Sequence, residues 1–254
     1  MKRSKITVLC LALSLLASPL WAANGVVGLG AGVAPDYEGS DDTTGVPMFM
    51  FQQNYDSGRF VKLMGPNLKV NLLANKQYSL GPVLNYRPER DDVDNDQVDR
   101  MDKIDAALEA GAFAGVNIDN LLLGVELLAD VSDEHDGFLA QVNAGYKWKV
   151  MPELTLTPGV FLTYADDDYM DTYFGVNSGN VGNSGLPNYS ADGGLKDVGI
   201  NLVAHYTPWE KWGIMGLFSY KSLLNDAKDS PIVDDEGNDK QFTLGLMATY
   251  RWGK

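Results

Sequence analysis

The sequence predicts an all-β fold, a transmembrane antiparallel β-barrel of about 10–12 strands. Three observations predict it. Apolar side chains recur at every second position through most of the chain, as on a strand with one apolar face. Beyond the first 22 residues there is no apolar run of about 18 residues that could cross a bilayer as a helix. The connections between the alternating segments are short and long by turns, as in a barrel with one plain and one decorated rim.

The amino terminus is of a different kind. Lys2, Arg3 and Lys5 precede an uncharged stretch over 6–20, and Trp21-Ala22-Ala23 follows it. That order of basic, apolar and small residues predicts a cleavable export signal over 1–22, cut after Ala22, with the barrel domain over 23–254. A membrane helix fits less well, because the run is short and Pro19 would break it. Cys10 lies inside this segment, so the mature chain would have no thiol for a disulfide, a zinc site or a nucleophile. Its place in the middle of the apolar stretch also argues against a lipid anchor.

The full chain carries 20 basic and 34 acidic residues, a formal charge of -14. Removing Lys2, Arg3 and Lys5 with the signal leaves 17 - 34 = -17. A chain this acidic is not expected to take nucleic acid as a partner. So acidic a surface would meet phosphorylated lipid headgroups only with divalent cations between them. No Pro/Ser-rich linker divides the chain and its glycines are spread, so a single domain is expected. A mean hydropathy of -0.16 suits strands that are apolar on one face only.

Taken in order, the candidate strands are 25–34, 46–53, 59–63, 67–74, 78–87, 103–118, 121–131, 138–148, 154–164, 198–206, 212–221 and 242–252. The clearest is 138–148, where Phe138, Ala140, Val142, Ala144, Tyr146 and Trp148 alternate with Leu139, Gln141, Asn143, Gly145 and Lys147. The last sets Phe242, Leu244, Leu246, Ala248, Tyr250 and Trp252 against Thr243, Gly245, Thr249 and Arg251. The segment 103–118 is ambiguous, because Asp105-Ala106-Ala107-Leu108-Glu109-Ala110 also suits a helix. In a membrane barrel the apolar set faces lipid and the polar set lines the lumen. Aromatic pairs at segment ends, such as Tyr146 with Trp148 and Trp209 with Trp212, suit the two membrane interfaces.

If the first strand rises from the periplasm, the inner turns at 54–57, 75–77, 119–120, 150–153 and 207–211 are all short. The outer loops at 35–45, 88–102, 165–196 and 222–240 are long and acidic, with only 64–66 short. Export from the cytoplasm and short inner turns together predict the cell outer membrane.

Several motifs then carry a resemblance. They are Gly32-Val33-Ala34-Pro35-Asp36-Tyr37-Glu38-Gly39-Ser40, Gly81-Pro82 with Tyr86-Arg87, and Tyr164-Ala165-Asp166-Asp167 running into Tyr169-Met170-Asp171-Thr172-Tyr173-Phe174-Gly175-Val176. Ser184-Gly185-Leu186-Pro187 with Tyr189, Gly193-Gly194-Leu195-Lys196-Asp197-Val198 and Asp229-Ser230-Pro231-Ile232-Val233 follow. With them, the mature chain resembles the MipA/OmpV family, the MltA-interacting protein family of Gram-negative outer membranes. It departs from such barrels after Trp252, where Gly253 and Lys254 follow the usual terminal aromatic residue. The resemblance implies a scaffold, without enzymatic activity, for peptidoglycan-remodelling enzymes, holding a lytic transglycosylase near a murein synthase. The other expected contacts are outer-membrane lipid and lipopolysaccharide. A small-solute or antibiotic-permeable pore and a surface adhesin are the alternative functions.

No catalytic, cofactor-binding or metal site is expected. Asp92, Asp94 and Asp96 have the spacing of a calcium loop, yet Gln97 stands where the turn needs Gly and Lys103 where the bidentate Glu belongs. Asp166, Asp167 and Asp168 could bridge cations to lipopolysaccharide phosphates. His135, in Asp133-Glu134-His135-Asp136, and His205, on a predicted lumen face, are the only histidines that could serve a serine hydrolase, and neither has a serine in a local motif. Gly28-Leu29-Gly30-Ala31-Gly32 lacks the third glycine of a nucleotide loop and reads as strand that lets the wall curve.

Overall fold

The computed structural model describes residues 24–253, so the predicted signal and its cleavage point at Ala22 lie outside the described residues. The strands are β1 (Asn24–Pro35), β2 (Thr43–Asn54), β3 (Phe60–Met64), β4 (Asn67–Asn71), β5 (Tyr78–Arg87), β6 (Ala107–Ile118) and β7 (Leu121–Asp130). They continue as β8 (Phe138–Tyr146), β9 (Trp148–Met151), β10 (Leu154–Ala165), β11 (Gly194–Tyr206), β12 (Trp212–Leu223) and β13 (Lys240–Trp252). Chain neighbours pair antiparallel, except that β8 and β9 both pair with β10, and β1 pairs with β13 from Gly25↔Trp252 to Val33↔Leu244, which closes the ring.

β8 and β9 form one stave interrupted at Lys147, so the closed barrel has 12 staves. The β8–β10 ladder stops at Gly145↔Gly159 and resumes at Trp148↔Leu156. Pro158 lies in that gap and has no N–H to give a ladder.

The ambiguous segment is resolved as strand from Ala107 onward, while Ile104 makes an isolated bridge to Arg90. β6 is hydrogen-bonded on both sides, to β5 and β7, and those ladders override the helix preference of its Ala and Leu residues. The predicted faces are observed. Phe242, Leu244 and Leu246 are 45 to 63% exposed on the outer wall, whereas Gln241, Met247 and Thr249 are buried inside. At the inner rim Trp212 meets Tyr250 with ring centroids 5.0 Å apart, part of an aromatic girdle.

The β3–β4 hairpin is much shorter than its neighbours. Its tip pairs Met64 with Met50, leaving residues 43–49 of β2 without a ladder partner on that side. Phe49 O accepts from Gly65 N at 2.9 Å, so alternate residues of β2, Pro47 among them, direct their backbone to this edge. Pro47 thereby removes one N–H from an unpaired edge.

The long outer loops were expected as acidic surface and are instead folded. They carry short helices α1 (Asp96–Asp99), α2 (Asp167–Phe174), α3 (Ser178–Ser184), α4 (Asn225–Asp229) and α5 (Pro231–Asp234). Asn95, Asp166, Asn177 and Ser230 cap α1, α2, α3 and α5 with side-chain oxygens. Tyr169, Met170 and Phe174 of α2 pack with Leu139, Leu223 and Val233 of other elements in one buried cluster. Tyr37, Val98, Met101, Val176, Leu186 and Ile232 form a second. These clusters make a plug at the outer end of the barrel. Deeper in the lumen Met50, Met215 and Met247 form a third cluster, with Met48 and Met64 against it.

Candidate functional site

The plug is fastened to the wall by a lattice of charges. Gly39 has a φ of 106°, which only glycine adopts without strain, and it turns the β1–β2 loop so that Glu38 points into the barrel. Gln241 of β13 clamps that turn, accepting from Gly39 N at 3.0 Å and donating to Ser40 O at 2.8 Å. Glu38 then pairs with Lys196 of β11 and Lys221 of β12, and accepts from the Tyr169 hydroxyl of α2 at 2.7 Å. Burial alone would raise the Glu38 pKa, but Lys196, Lys221 and Arg87 outweigh it and hold the carboxyl well below its ordinary range.

Across the lumen, Arg87 Nε donates to Glu109 Oε1 at 2.8 Å, and Asn85 donates to Glu109 Oε2 at 2.7 Å. The Arg87 guanidinium lies 4.8 Å from the Tyr169 ring centroid and 5.3 Å from that of Tyr173. His135 is 3% exposed, not a surface turn residue as its polar neighbours suggested. Its Nδ1 accepts from Gly137 N at 3.1 Å, so the Nε2 proton is assigned to the 3.2 Å contact with Glu109. His205 meets Thr249 Oγ1 at 3.5 Å. Among the hydrogen bonds of the described residues neither histidine reaches a serine hydroxyl, and His135 ties the loop before β8 to Glu109 of β6.

The acidic loops have structural uses. Asp166 Oδ1 accepts from Phe138 N and Tyr169 N, and Asp167 Oδ1 accepts from Gly193 N at 2.6 Å. Asp36 Oδ2 accepts from Asp94 N at 3.0 Å, and Asn95 and Gln97 bond Glu236. Among the described residues no group of three acidic, histidine or cysteine side chains is placed to hold a metal ion.

Beneath the plug lies a cavity of about 680 Å³, running from Asp36 and Glu89 in the loops to Lys62 and Ser219 in the wall. Sequence reasoning missed the members of the lattice. Their signal was present: Lys62, Lys69, Arg87, Glu109, Glu126 and Lys221 are charges within strands, which a lipid-facing position does not tolerate.

An antiparallel ring of 12 staves with an apolar outer wall, an aromatic inner rim and charged groups inside is an outer-membrane β-barrel. The model of the family described as "MltA-interacting protein MipA" matches residues 27–252, and the chain belongs to that family. A relative named "Putative outer membrane protein YiaT", from Escherichia coli (strain K12), is 25% identical over 231 residues, 88% of this chain and 90% of its own. The "MltA-interacting protein" of the same organism is 28% identical over 127 residues, 50% of this chain and 48% of its own. Among solved structures, the KdgM porin superposes with a TM-score of 0.46 at 10% identity, covering 90% of this chain and 99% of that one. The NanC porin does so with 0.44 at 10% identity, covering 88% and 98%. The motifs that carry the family resemblance converge on the lattice: Glu38, Arg87, Tyr169, Tyr173, Lys196 and Asp197 each come from one of them.

Proposed function

We propose that this chain is a closed, non-enzymatic barrel of the outer membrane that serves as an interaction scaffold for peptidoglycan-remodelling enzymes, holding a lytic transglycosylase and, beside it, a murein synthase. The observation that carries this reading is the plug. Loops with fully buried Tyr169, Met170 and Phe174 pack into the outer mouth, which counts against an open path for solutes. The printed name of the MltA-interacting relative supports a transglycosylase as the partner. With inner turns as short as Asp119-Asn120, a partner would dock on the inner rim, where all four residues of β9 are exposed.

The experiment is reversible crosslinking in cells, purification of the barrel in mild detergent, and mass spectrometry of what co-elutes. Recovery of a lytic transglycosylase is the expected result, and a clean barrel would overturn the scaffold reading. A second reading, a solute pore, is favoured by the 680 Å³ cavity inside the lumen. It requires the plug to move, and steady single-channel conductance of the native protein would establish it.

A further inference from the structure

Lys62 of β3 and Lys69 of β4 are direct cross-strand partners on the lumen side of the short hairpin. Like charges placed opposite one another repel, more strongly away from bulk water. One carboxylate is at hand, Glu126, and it is fully used: one oxygen pairs with Lys69 and the other accepts from Asn67 at 2.7 Å. Among the described residues Lys62 has no ion-pair partner, so the cavity wall holds a positive charge in excess.

Tyr37, Tyr173 and Asp197 line the same cavity, and each has one buried polar atom that no hydrogen bond satisfies: Tyr37 Oη, Tyr173 Oη and Asp197 Oδ1. Their residues are 6%, 6% and 2% exposed. A buried polar atom without a partner is costly, and three around one space indicate that something else completes them. The two hydroxyls can give or accept a proton, but Asp197 Oδ1 can only accept. Whatever occupies the cavity must therefore offer hydrogen-bond donors as well as a negative charge. A fully deprotonated inorganic anion such as sulfate does not meet the first condition and a neutral sugar does not meet the second. The volume is within the range that takes a small organic ligand.

We propose that this lumen cavity is a binding site for a small polyhydroxylated anion, with its charged group at Lys62 and its hydroxyls toward Tyr37, Tyr173 and Asp197. The site stands whether or not an enzyme docks on the inner rim. Carboxylated and phosphorylated sugars share this chemistry, and titration separates them.

The test is calorimetry on the purified full-length barrel in detergent, with gluconate, glucose 6-phosphate, glucose and sulfate as probes. Gluconate or glucose 6-phosphate should bind, and the tighter of the two names the charged group. Lys62→Met should weaken that binding about tenfold or more, the loss of a charge-assisted contact. Tyr173→Phe should weaken it by a smaller factor. Lys62→Met breaks none of the ion pairs that hold the plug, and without ligand it should melt at a higher temperature than the parent because the repulsion with Lys69 is gone. Equal binding of glucose and gluconate would remove the charge from the argument, and sulfate binding as tightly as either sugar anion would remove the hydroxyls. Absence of heat with both sugar anions, or an unchanged affinity in Lys62→Met, would overturn the proposal.

Discussion

Tyr169 donates its hydroxyl to Glu38 at 2.7 Å, joining helix α2 to the β1–β2 loop across 131 positions of sequence. Lys196 and Lys221 reach the same carboxylate from two further strands. Four elements meet on one side chain, so Glu38 is the place where the plug can be released without touching the barrel's own ladders.

Replacing Glu38 with Gln leaves Lys196 and Lys221 facing a neutral amide, with only Asp197 to balance them. Breaking a buried ion pair from one side costs about 3–5 kcal/mol. We expect the loss to fall on the plug. Limited proteolysis should cut the loop between β10 and β11, while the barrel still migrates as a folded species in unheated gels. A loop as resistant as in the parent protein would show that the apolar clusters alone hold the plug.

The pH dependence follows from the same group. The folded carboxyl of Glu38 titrates well below its ordinary value of 4.5, so the folded plug favours the ionised form. Its contribution is fully present above that value and is lost as the pH falls through the lower, folded one. The loops should therefore stay protected at neutral and mildly acidic pH and become cleavable by an acid-active protease only in stronger acid. Loosening that began near neutral pH would point to another group.

How much of this was legible in the sequence depends on the kind of contact. The wall could be read because its signal is local: a two-residue period survives in residues such as Phe242, Leu244 and Leu246 whatever lies across the lumen. The plug could not, because Glu38, Arg87, Tyr169 and Lys196 sit in separate segments that only the closed ring brings together. A turn that reads as solvated around His135 is buried because α2 lies on it, with the Tyr169 ring 5.2 Å away. Charges at inward strand positions marked half of the lattice, while the loop half left no periodic trace.

Asp166 offers a milder way to loosen the plug. Its Oδ1 caps α2 by accepting from Tyr169 N at 3.2 Å and holds β8 by accepting from Phe138 N at 2.9 Å. Loss of such a cap costs about 0.5–2 kcal/mol. Asp166→Ala should raise amide hydrogen exchange over 167–174 and leave the strands protected, whereas Asp168→Ala should have a clearly smaller effect, since Asp168 is exposed in the first turn and caps no helix. Equal effects of the two would mean that the charge of the loop, and not the cap, orders the helix.

The glycines of β1 are the last test, and they decide between a wall and a loop. A methyl group built on Gly30 would lie 1.8 Å from the backbone oxygen of Leu246 on β13. That oxygen is held by the β1–β13 ladder, which closes the barrel, so the strands must separate to admit the methyl. Overpacking of this kind costs about 1–3 kcal/mol. Gly45, on the neighbouring strand, has no atom within 4 Å of the same added carbon. Gly30→Ala should lower the urea midpoint of the purified barrel, and Gly45→Ala should leave the midpoint unchanged, with an unfolding free energy within about 0.5 kcal/mol of the parent. The two changes are chemically identical, so a difference between them isolates the close approach of β1 to β13. If both variants unfold at the parent's midpoint, the ring has slack at its closing seam and the glycines of β1 are kept for another reason.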